Sequence, residues 1–284
     1  EVHFILEAFA EYSTYYAGYL PEDNMTVRVL PFLEDIHDSF IYFEIEPQDY
    51  GACYLFAFYL AEQYGVQFLR DLVQHEGDGA LGLETALKDA GHNISFNELY
   101  LDWMTALTID QQGFANDRYC LREMNATIQN RTTIHSLPYQ EDSVPLYCYG
   151  SKVYQVSSPP DTFSVEMSQP AQGVAGLSVA YRDAHGWHVQ QTQRLGGAIL
   201  NISGESIDSA YFVISFLYDN TPTGHIDFGS GYERTVQILV YETEGTTTTP
   251  PPVRTADILL QILAYGTSIF AIIVLIAAVK YVRR

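Results

Sequence analysis

The chain has 284 residues, enough for two modest domains and a membrane anchor. Its 35 acidic residues outnumber the 14 basic ones for a net charge of −21, and Lys and Arg cluster only in the last five residues, which excludes nucleic acid as a partner. A hydrophobic share of 47% with 14% aromatic residues excludes a mostly disordered chain.

The chain opens on a helical pattern that is already in progress. Residues 1–19 have amphipathic periodicity, and the first residue is not Met, so we expect a segment of the protein to precede Glu1. After a turn at Pro21, the residues Thr26–Leu30 and Phe40–Ile45 are predicted to form two short extended pieces.

Four helices are predicted to follow. Asp49 is the predicted N-cap of the first, and Ser95 with Glu98 three residues later forms a capping box for the last. Glycines end the first and third of these patterns. The predicted helices are Tyr50–Tyr64, Val66–His75, Leu81–Ala90 and Ser95–Leu107.

From about Thr132 the sequence changes to short runs rich in Val, Ile, Tyr and Phe that are broken by Pro and Gly. Such runs indicate a β-sandwich domain over residues 130–243, of jelly-roll or immunoglobulin-like kind, after a helical domain over residues 1–125. The predicted strands are Lys152–Val156, Phe163–Met167, Leu177–Tyr181, His188–Thr192, Ala198–Ile202, Tyr211–Tyr218 and Val236–Tyr241.

The C-terminal part predicts a single membrane anchor. Residues 244–257 form a Thr- and Pro-rich stalk without apolar periodicity, and residues 258–279 are apolar over a length that crosses a bilayer. Basic residues in the tail 280–284 place the C-terminus in the cytoplasm and the bulk of the chain outside, as a single-pass protein of the cell membrane. A removed lipid-attachment signal is the alternative, and the basic tail argues against it.

Covalent modifications are predicted from two residue types. The three cysteines allow at most one internal disulfide, for which Cys120 and Cys148 are the candidate pair, whereas Cys53 is expected to be a buried free thiol. Five N-glycosylation sequons fit a chain that is exposed outside the cytoplasm. Their acceptors are Asn24, Asn93, Asn125, Asn130 and Asn201.

One helical stripe carries possible chemistry. His3, Glu7 and Glu11 recur every four residues, so they lie on one side of the opening helix. Acidic residues in this pattern are most often just a solvated helix side, and His3 alone is more typical of a cap than of a metal ligand. His185 and His188 flank a predicted turn, where they are more typical of a hairpin than of a metal site.

The segment Leu6-Glu-Ala-Phe-Ala-Glu-Tyr12 resembles the glutamate helix of gluzincin zinc metallopeptidases, and most closely that of the hyicolysin-like group. The resemblance continues through the helices at residues 50–65, 68–72 and 96–103, and covers about residues 1–125. It implies that Glu7 is the third zinc ligand and that Glu11 is an acidic residue behind the ligands that orients a ligating histidine. It also implies a helical peptidase-type subdomain, followed by the kind of sandwich often found after it.

The resulting fold class is α+β and multidomain: a helical peptidase-type subdomain, then a β-sandwich, then one C-terminal transmembrane helix. Tyr50 is a candidate for stabilising the oxyanion, on its position alone. Two departures from the family matter: Leu6 replaces the family's Asn, and no His-Glu-x-x-His segment occurs in the 284 residues. Zinc would therefore need ligands from outside this chain, which is not a complete enzyme by itself.

The functional expectation is the C-terminal portion of a surface-anchored, zinc-dependent metallopeptidase that hydrolyses extracellular proteins or peptides. Its expected partners are the membrane, through the C-terminal helix, and a protein or peptide substrate. One alternative is a non-catalytic, membrane-anchored surface glycoprotein or adhesion protein with a β-sandwich ectodomain. Another is a plain envelope glycoprotein whose β domain binds a partner or a sugar.

Overall fold

The computed structural model describes residues 3–19, 22–168, 173–218 and 233–243, with the backbone alone for His3 and residues 22–26. In these ranges six α-helices and nine β-strands make a mixed α/β architecture. None of the helices within them is long and apolar enough to span a bilayer. The predicted stalk, membrane span and basic tail lie outside the described residues.

The helices agree with the predicted segments except near the start of the chain. The capping box of Ser95 and Glu98 is confirmed: the backbone N–H of Ser95 donates to the Glu98 carboxylate at 2.8 Å. Asp49 is not an N-cap, because its helix begins at Pro47 and Asp49 accepts a hydrogen bond from the backbone of Glu46, which is the cap. The helices are α1 (His3–Tyr16), α2 (Glu22–Glu34), α3 (Pro47–Tyr64), α4 (Val66–Val73), α5 (Gly79–Asp89) and α6 (Phe96–Ile109).

The two extended pieces predicted between α1 and α3 are wrong. Residues 26–30 belong to α2, which continues through Pro31. The buried residues Val29, Phe32 and Leu33 follow a helical spacing, which brings them onto one side of α2, against α3. Residues 40–45 form no strand, and Phe40 and Ile41 are instead buried in the core.

An aromatic core holds the helices together around α3. Every residue of α3 from Gly51 to Ala61 is buried, and α1 and α2 pack against this helix. Phe56 of α3 lies 5.2 Å from the Trp103 ring of α6, and Trp103 in turn stacks on Phe32 of α2 at 5.5 Å, measured between ring centroids. These rings exclude water from the centre of the helical layer and fix how the helices cross.

The strands form one five-stranded and one four-stranded sheet, with orders β1-β3-β8-β5-β6 and β2-β9-β4-β7. All seven predicted strands are present, most of them slightly longer than predicted. Two further strands were not predicted, and the first of these pairs with β3 in parallel. The strands are β1 (Arg131–Ile134), β2 (Tyr139–Leu146), β3 (Ser151–Val156), β4 (Thr162–Ser168), β5 (Val174–Asp183), β6 (Gly186–Leu195), β7 (Gly197–Ser203), β8 (Ser209–Leu217) and β9 (Arg234–Glu242).

The five-stranded sheet lies between the helical layer and the other sheet. Helix α6 packs on it, with the hydroxyls of Thr105 on α6 and Ser178 on β5 only 2.7 Å apart. The hydroxyl of Tyr100 on α6 lies 3.0 Å from that of Ser151 on β3. One hydrophobic core runs through helices and sheets, which belong to a single compact unit.

Candidate functional site

The predicted metal-ligand helix is α1, and its two acidic residues differ in their surroundings. Phe4, Ile5 and Ala8 are buried, and α1 packs against α3. Glu11 is only 8% exposed, whereas Glu7, one turn earlier, is half-buried. The predicted stripe is therefore a partly covered surface rather than a fully solvated helix side.

Glu11 is held by an arginine from the next helix. Arg28 of α2 donates through Nη1 to the Oε1 atom of Glu11 in a short ion pair. The same guanidinium lies over the ring of Tyr50 on α3, 5.5 Å from its centroid. No described residue donates a hydrogen bond to the second carboxylate oxygen of Glu11, which can therefore act as an acceptor.

Glu7 differs from Glu11 in having no partner among the described side chains. No described residue forms a hydrogen bond or ion pair with its carboxylate. A half-buried carboxylate without a partner loses part of its hydration and gains nothing in return. Any cation that reached it would be bound more strongly than by a fully solvated acid.

The N-terminal part of α3 adds two further groups to this region. Asp49 accepts hydrogen bonds from the backbone N–H groups of Glu44 (2.8 Å) and Glu46 (3.0 Å), yet burial raises the pKa of Asp49 to about 6. The thiol of Cys53 is 1% exposed, and its pKa is raised well above the usual value, first by burial and then by the charges of Asp49, Glu7 and Glu11. The structure therefore brings Glu7, Glu11, Asp49 and Cys53 into one electrostatic neighbourhood.

These residues could supply one ligand of a metal site, but they do not form a complete set of ligands. Within the described side chains no group of three or more His, Cys, Asp and Glu residues is arranged to hold a metal ion. Glu7 has the chemistry of a zinc ligand, and Glu11 has the chemistry of a residue that accepts from a ligand. The side chain of His3 lies outside the described part of the structure.

Tyr50 lies next to this neighbourhood through its contact with Arg28. Its ring also packs edge-on against Phe43, with centroids 4.9 Å apart. The ring is half-buried between these two neighbours.

The histidines of the β5–β6 hairpin belong to a local polar network. His188 lies 2.9 Å from the Oδ1 atom of Asp183, and the backbone N–H of His185 donates to the same oxygen at 2.8 Å. The His188 ring also stacks on Tyr181 at 4.9 Å. These contacts are typical of residues that fasten a hairpin.

The predicted disulfide is not formed. Cys53, Cys120 and Cys148 are all buried free thiols. The thiol of Cys120, in the segment after α6, lies 3.5 Å from the carbonyl oxygen of Asp117. The backbone of Cys148 instead forms an isolated β-bridge with the backbone of Phe216 on β8. The two cysteines thus make different contacts on either side of β1 and β2, the strands that the sequence did not predict.

The predicted glycosylation acceptors are exposed where their side chains are described. These are Asn93, Asn125, Asn130 and Asn201, whereas the side chain of Asn24, within α2, is outside the described part. Asn130 donates to the carbonyl of Glu34 at 3.0 Å, and Asn201 accepts from Ser164 at 2.6 Å.

Sequence reasoning missed Arg28, which was placed in a strand. The available signal was that Arg28 is the only Lys or Arg in the first 69 residues. It also missed Gly51, at which a Cβ atom would overlap the carbonyl oxygen of Arg28. That close approach of α2 and α3 brings Arg28 within reach of both Glu11 and Tyr50.

No protein-family model and no curated protein matches the sequence. Among solved structures, the surface-associated copper-binding protein CorA of Methylomicrobium album BG8 is 7% identical, with 40% of this chain and 98% of that chain covered and a TM-score of 0.29. The pre-peptidase C-terminal domain of a Bacillus anthracis collagenase is 15% identical, with 39% and 94% covered and a TM-score of 0.23. A xylan-binding domain from Paenibacillus barcinonensis is 11% identical, with 36% and 78% covered and a TM-score of 0.23. Similarities this slight support no conclusion about fold family or function.

Proposed function

We propose that this chain is the C-terminal portion of a surface-anchored zinc metallopeptidase that hydrolyses extracellular proteins or peptides. The observation that supports the proposal most is the carboxylate of Glu7, which is half-buried and has no partner among the described residues. It lies one helical turn before Glu11, which Arg28 holds in place. Together with the resemblance of residues 6–12 to gluzincins, this pair has the arrangement of a ligand and its supporting acid.

Each residue of the pair has a distinct role in this proposal. Glu7 donates a carboxylate oxygen to zinc, which needs three protein ligands in a catalytic site. Glu11 accepts a hydrogen bond from a ligating histidine through the oxygen that Arg28 leaves uncontacted, and so orients that histidine. The two histidines come from sequence outside these 284 residues.

When bound, zinc supplies a water of lowered pKa and polarises the peptide carbonyl. The chain's own contribution is to fix Glu7 and to keep water away from the base of the site, through the aromatic packing of α1 on α3. Tyr50 is proposed as a hydrogen-bond donor to the substrate oxygen, on the basis of its place beside Arg28. The helical layer is proposed as the peptidase-type subdomain, and the two sheets as the sandwich that follows it.

Anchoring completes the proposal. Residues 258–279 cross the membrane, and residues 244–257 hold the folded part away from the bilayer surface. The active site then faces extracellular proteins, and the basic tail stays in the cytoplasm.

The test is Glu7→Gln in the protein purified from membranes of cells that express its complete gene. Zinc content per protein and cleavage of unfolded casein are both measured, because the first reports the ligand and the second reports the reaction. We expect both to be lost, whereas Glu76→Gln, at an exposed loop carboxylate, leaves both unchanged. Full zinc content and full activity of the Glu7 variant would exclude Glu7 as a ligand.

A second candidate function is a non-catalytic surface glycoprotein or adhesion protein. It is favoured by the exposure of the four described acceptor asparagines, since a glycan needs an open surface. Unmodified protein that retains zinc favours the peptidase, and zinc-free protein that carries glycans on these asparagines favours the glycoprotein. Glycopeptide mass spectrometry with zinc analysis of the same sample separates the two.

A further inference from the structure

Strand β6 is an open edge of the five-stranded sheet. It runs from Gly186 to Leu195 and pairs on one side with β5. On its other side, no described residue forms a backbone hydrogen bond with it. Each of its 10 residues is half-buried or exposed, whereas the neighbouring β5 is buried over residues 174–181. β6 therefore presents a row of free N–H and C=O groups to an approaching chain.

The other three edges of the two described sheets are protected. β1 has only 4 residues. β2 contains Glu141, Asp142 and Pro145 and has an irregular register, and charges, prolines and bulges are the usual protection of an edge against strand addition. β7 carries the predicted glycan acceptor Asn201, and a sugar chain there would cover its edge. β6 has none of these features, because it is long and contains no proline and no acidic residue.

The turn between β5 and β6 fixes which backbone groups of β6 face outwards. The turn has two residues, so its closing pair, Asp183 and Gly186, exchanges hydrogen bonds. Because this pattern alternates along an antiparallel pair, every second residue of β6 from Trp187 onwards turns its N–H and C=O away from β5. These residues are Trp187, Val189, Gln191, Gln193 and Leu195. Gln191 is at the centre of the set.

Charge favours this edge for contact between two copies of the chain. The protein has a net charge of −21, so most of its surface repels a second copy. β6 has no carboxylate, and its only basic side chains are those of His188 and Arg194. Two copies that meet along β6 therefore avoid the repulsion between their acidic surfaces at the contact itself.

We propose that two copies of this chain associate by antiparallel pairing of β6 with β6, about a two-fold axis at Gln191. Such pairing is self-complementary, so each outward N–H of one copy meets an outward C=O of the other. The five outward residues of each copy then exchange about ten backbone hydrogen bonds with those of the other copy. The two five-stranded sheets become one continuous sheet. This association is independent of Glu7 and of zinc.

The side chains that this register brings together are compatible. Trp187 lies beside Leu195 of the second copy, and this contact covers a leucine that is 65% exposed in the single chain. One pair, His188 with Arg194 of the second copy, places two basic side chains together. Asp183 offsets their charge, because its Oδ1 atom lies 2.9 Å from Nε2 of His188.

The test is a matched pair of cysteine variants of the full-length protein in detergent. In the proposed register Gln191 lies opposite Gln191 of the second copy, at a Cα separation of about 5.5 Å that a disulfide can bridge. The two copies of Gln193 are about 13 Å apart along the strands, which is beyond the reach of a disulfide. We expect mild oxidation to cross-link Gln191→Cys at least about tenfold faster than Gln193→Cys on non-reducing gels. Equal rates, or no cross-link in either variant, would overturn the proposal.

Hydrogen exchange gives a second measurement that needs no cross-link. Mass spectrometry follows amide exchange in the peptide that covers residues 186–195, at low and at high protein concentration. We expect exchange to slow at high concentration, because pairing covers the outward amides. Gln191→Pro removes one outward N–H and leaves the bonds between β6 and β5 intact, so it should abolish the slowing in a protein that circular dichroism shows to be folded. Exchange that is fast at every concentration in the unmodified protein would refute the pairing.

Discussion

Lys152 on β3 donates from Nζ to the Oε1 atom of Glu141 on β2 at 2.7 Å, and so joins the two sheets. The other carboxylate oxygen of Glu141 accepts from the hydroxyls of Tyr154 (2.8 Å) and Tyr139 (2.9 Å). Lys152 is one of only three lysines in the chain, and its ammonium also lies 5.0 Å from the Tyr154 ring centroid. A carboxylate that accepts from three donors on strands of both sheets is a strong polar link between the sheets.

The link predicts an acid-sensitive contribution to stability. Burial alone would raise the pKa of Glu141, but the hydrogen bonds from Lys152, Tyr154 and Tyr139 outweigh it and lower the pKa below 4.5. A carboxyl with a lowered folded-state pKa stabilises the fold above its unfolded pKa, and this stabilisation is lost as the pH falls through the folded value. We therefore expect Glu141→Gln to cost about 1–3 kcal/mol at pH 7 and much less at pH 3.

Urea denaturation of both proteins between pH 3 and pH 7 measures this difference. Glu166→Gln, at a half-buried position on β4, is the matched control, and it should show a small effect at every pH. If the loss of unfolding free energy in Glu141→Gln were independent of pH, the charge of the carboxylate would not be the source of the stabilisation.

The free thiols predict slow chemical labelling of the native protein. Burial is the main cause that raises the pKa of Cys120 and Cys148 to about 12 and that of Cys53 well above its usual value, so few thiolates exist near neutral pH. We expect iodoacetamide to modify none of the three quickly in folded protein, and all three in urea without reductant. Intact mass spectrometry counts the adducts. A single adduct in urea would reveal a disulfide that involves two of the cysteines.

The strands were the most predictable part of the fold, because short runs rich in Val, Ile, Tyr and Phe that end at Pro or Gly are a local property of the sequence. β2 escaped notice because Glu141 and Asp142 interrupt the apolar alternation, and Pro145 suggests a break. β1 is only four residues long. It pairs in parallel with β3, although β2 lies between them in the sequence and belongs to the other sheet, and no short-range pattern encodes such a pairing.

The candidate site was predictable only within one helix. Helical spacing places Glu7 and Glu11 on one side of α1, but Arg28 is 17 residues further along, in a stretch where Val27 and Val29 mimic strand alternation. The structure makes that stretch helical because its buried face packs on α3. Likewise, the contact between the rings of Trp187 on β6 and Tyr211 on β8 depends on the position of β5 between their strands, an order that the sequence does not show.

The ion pair between Asp102 and Arg118 predicts an asymmetric pair of mutational effects. Asp102 on α6 has a side chain only 1% exposed, whereas the Arg118 side chain is 47% exposed; their Oδ2 and Nε atoms are 2.7 Å apart. Replacing Arg118 by Met leaves the buried carboxylate of Asp102 without its counter-ion, and we expect it to cost about 3–5 kcal/mol at pH 7. Asp102→Asn leaves an arginine that still reaches water, so it should cost less.

The effect of Arg118→Met should shrink in acid. Burial, as the main cause, raises the pKa of Asp102 even with Arg118 present, so a lone Asp102 is protonated readily as the pH falls and its penalty disappears. Adding Asp102→Asn to Arg118→Met should restore part of the lost stability at pH 7. Thermal unfolding of the three variants measures these effects, and an additive double variant would show that the two residues do not interact.

Replacing Gly51 by Ala should destabilise this protein, although Gly→Ala in a helix interior usually increases stability by roughly 0.5–1 kcal/mol. A Cβ atom at this position would overlap the backbone carbonyl of Arg28 and force α2 away from α3. Because Arg28 contacts both Glu11 and Tyr50, the displacement should also loosen that ion pair. We expect Gly51→Ala to lower the free energy of unfolding by about 1–3 kcal/mol in urea denaturation. Arg28→Met, which removes the ion pair but keeps the close helix approach, should cost less, and a stability gain in Gly51→Ala would show that α2 does not rest on this glycine.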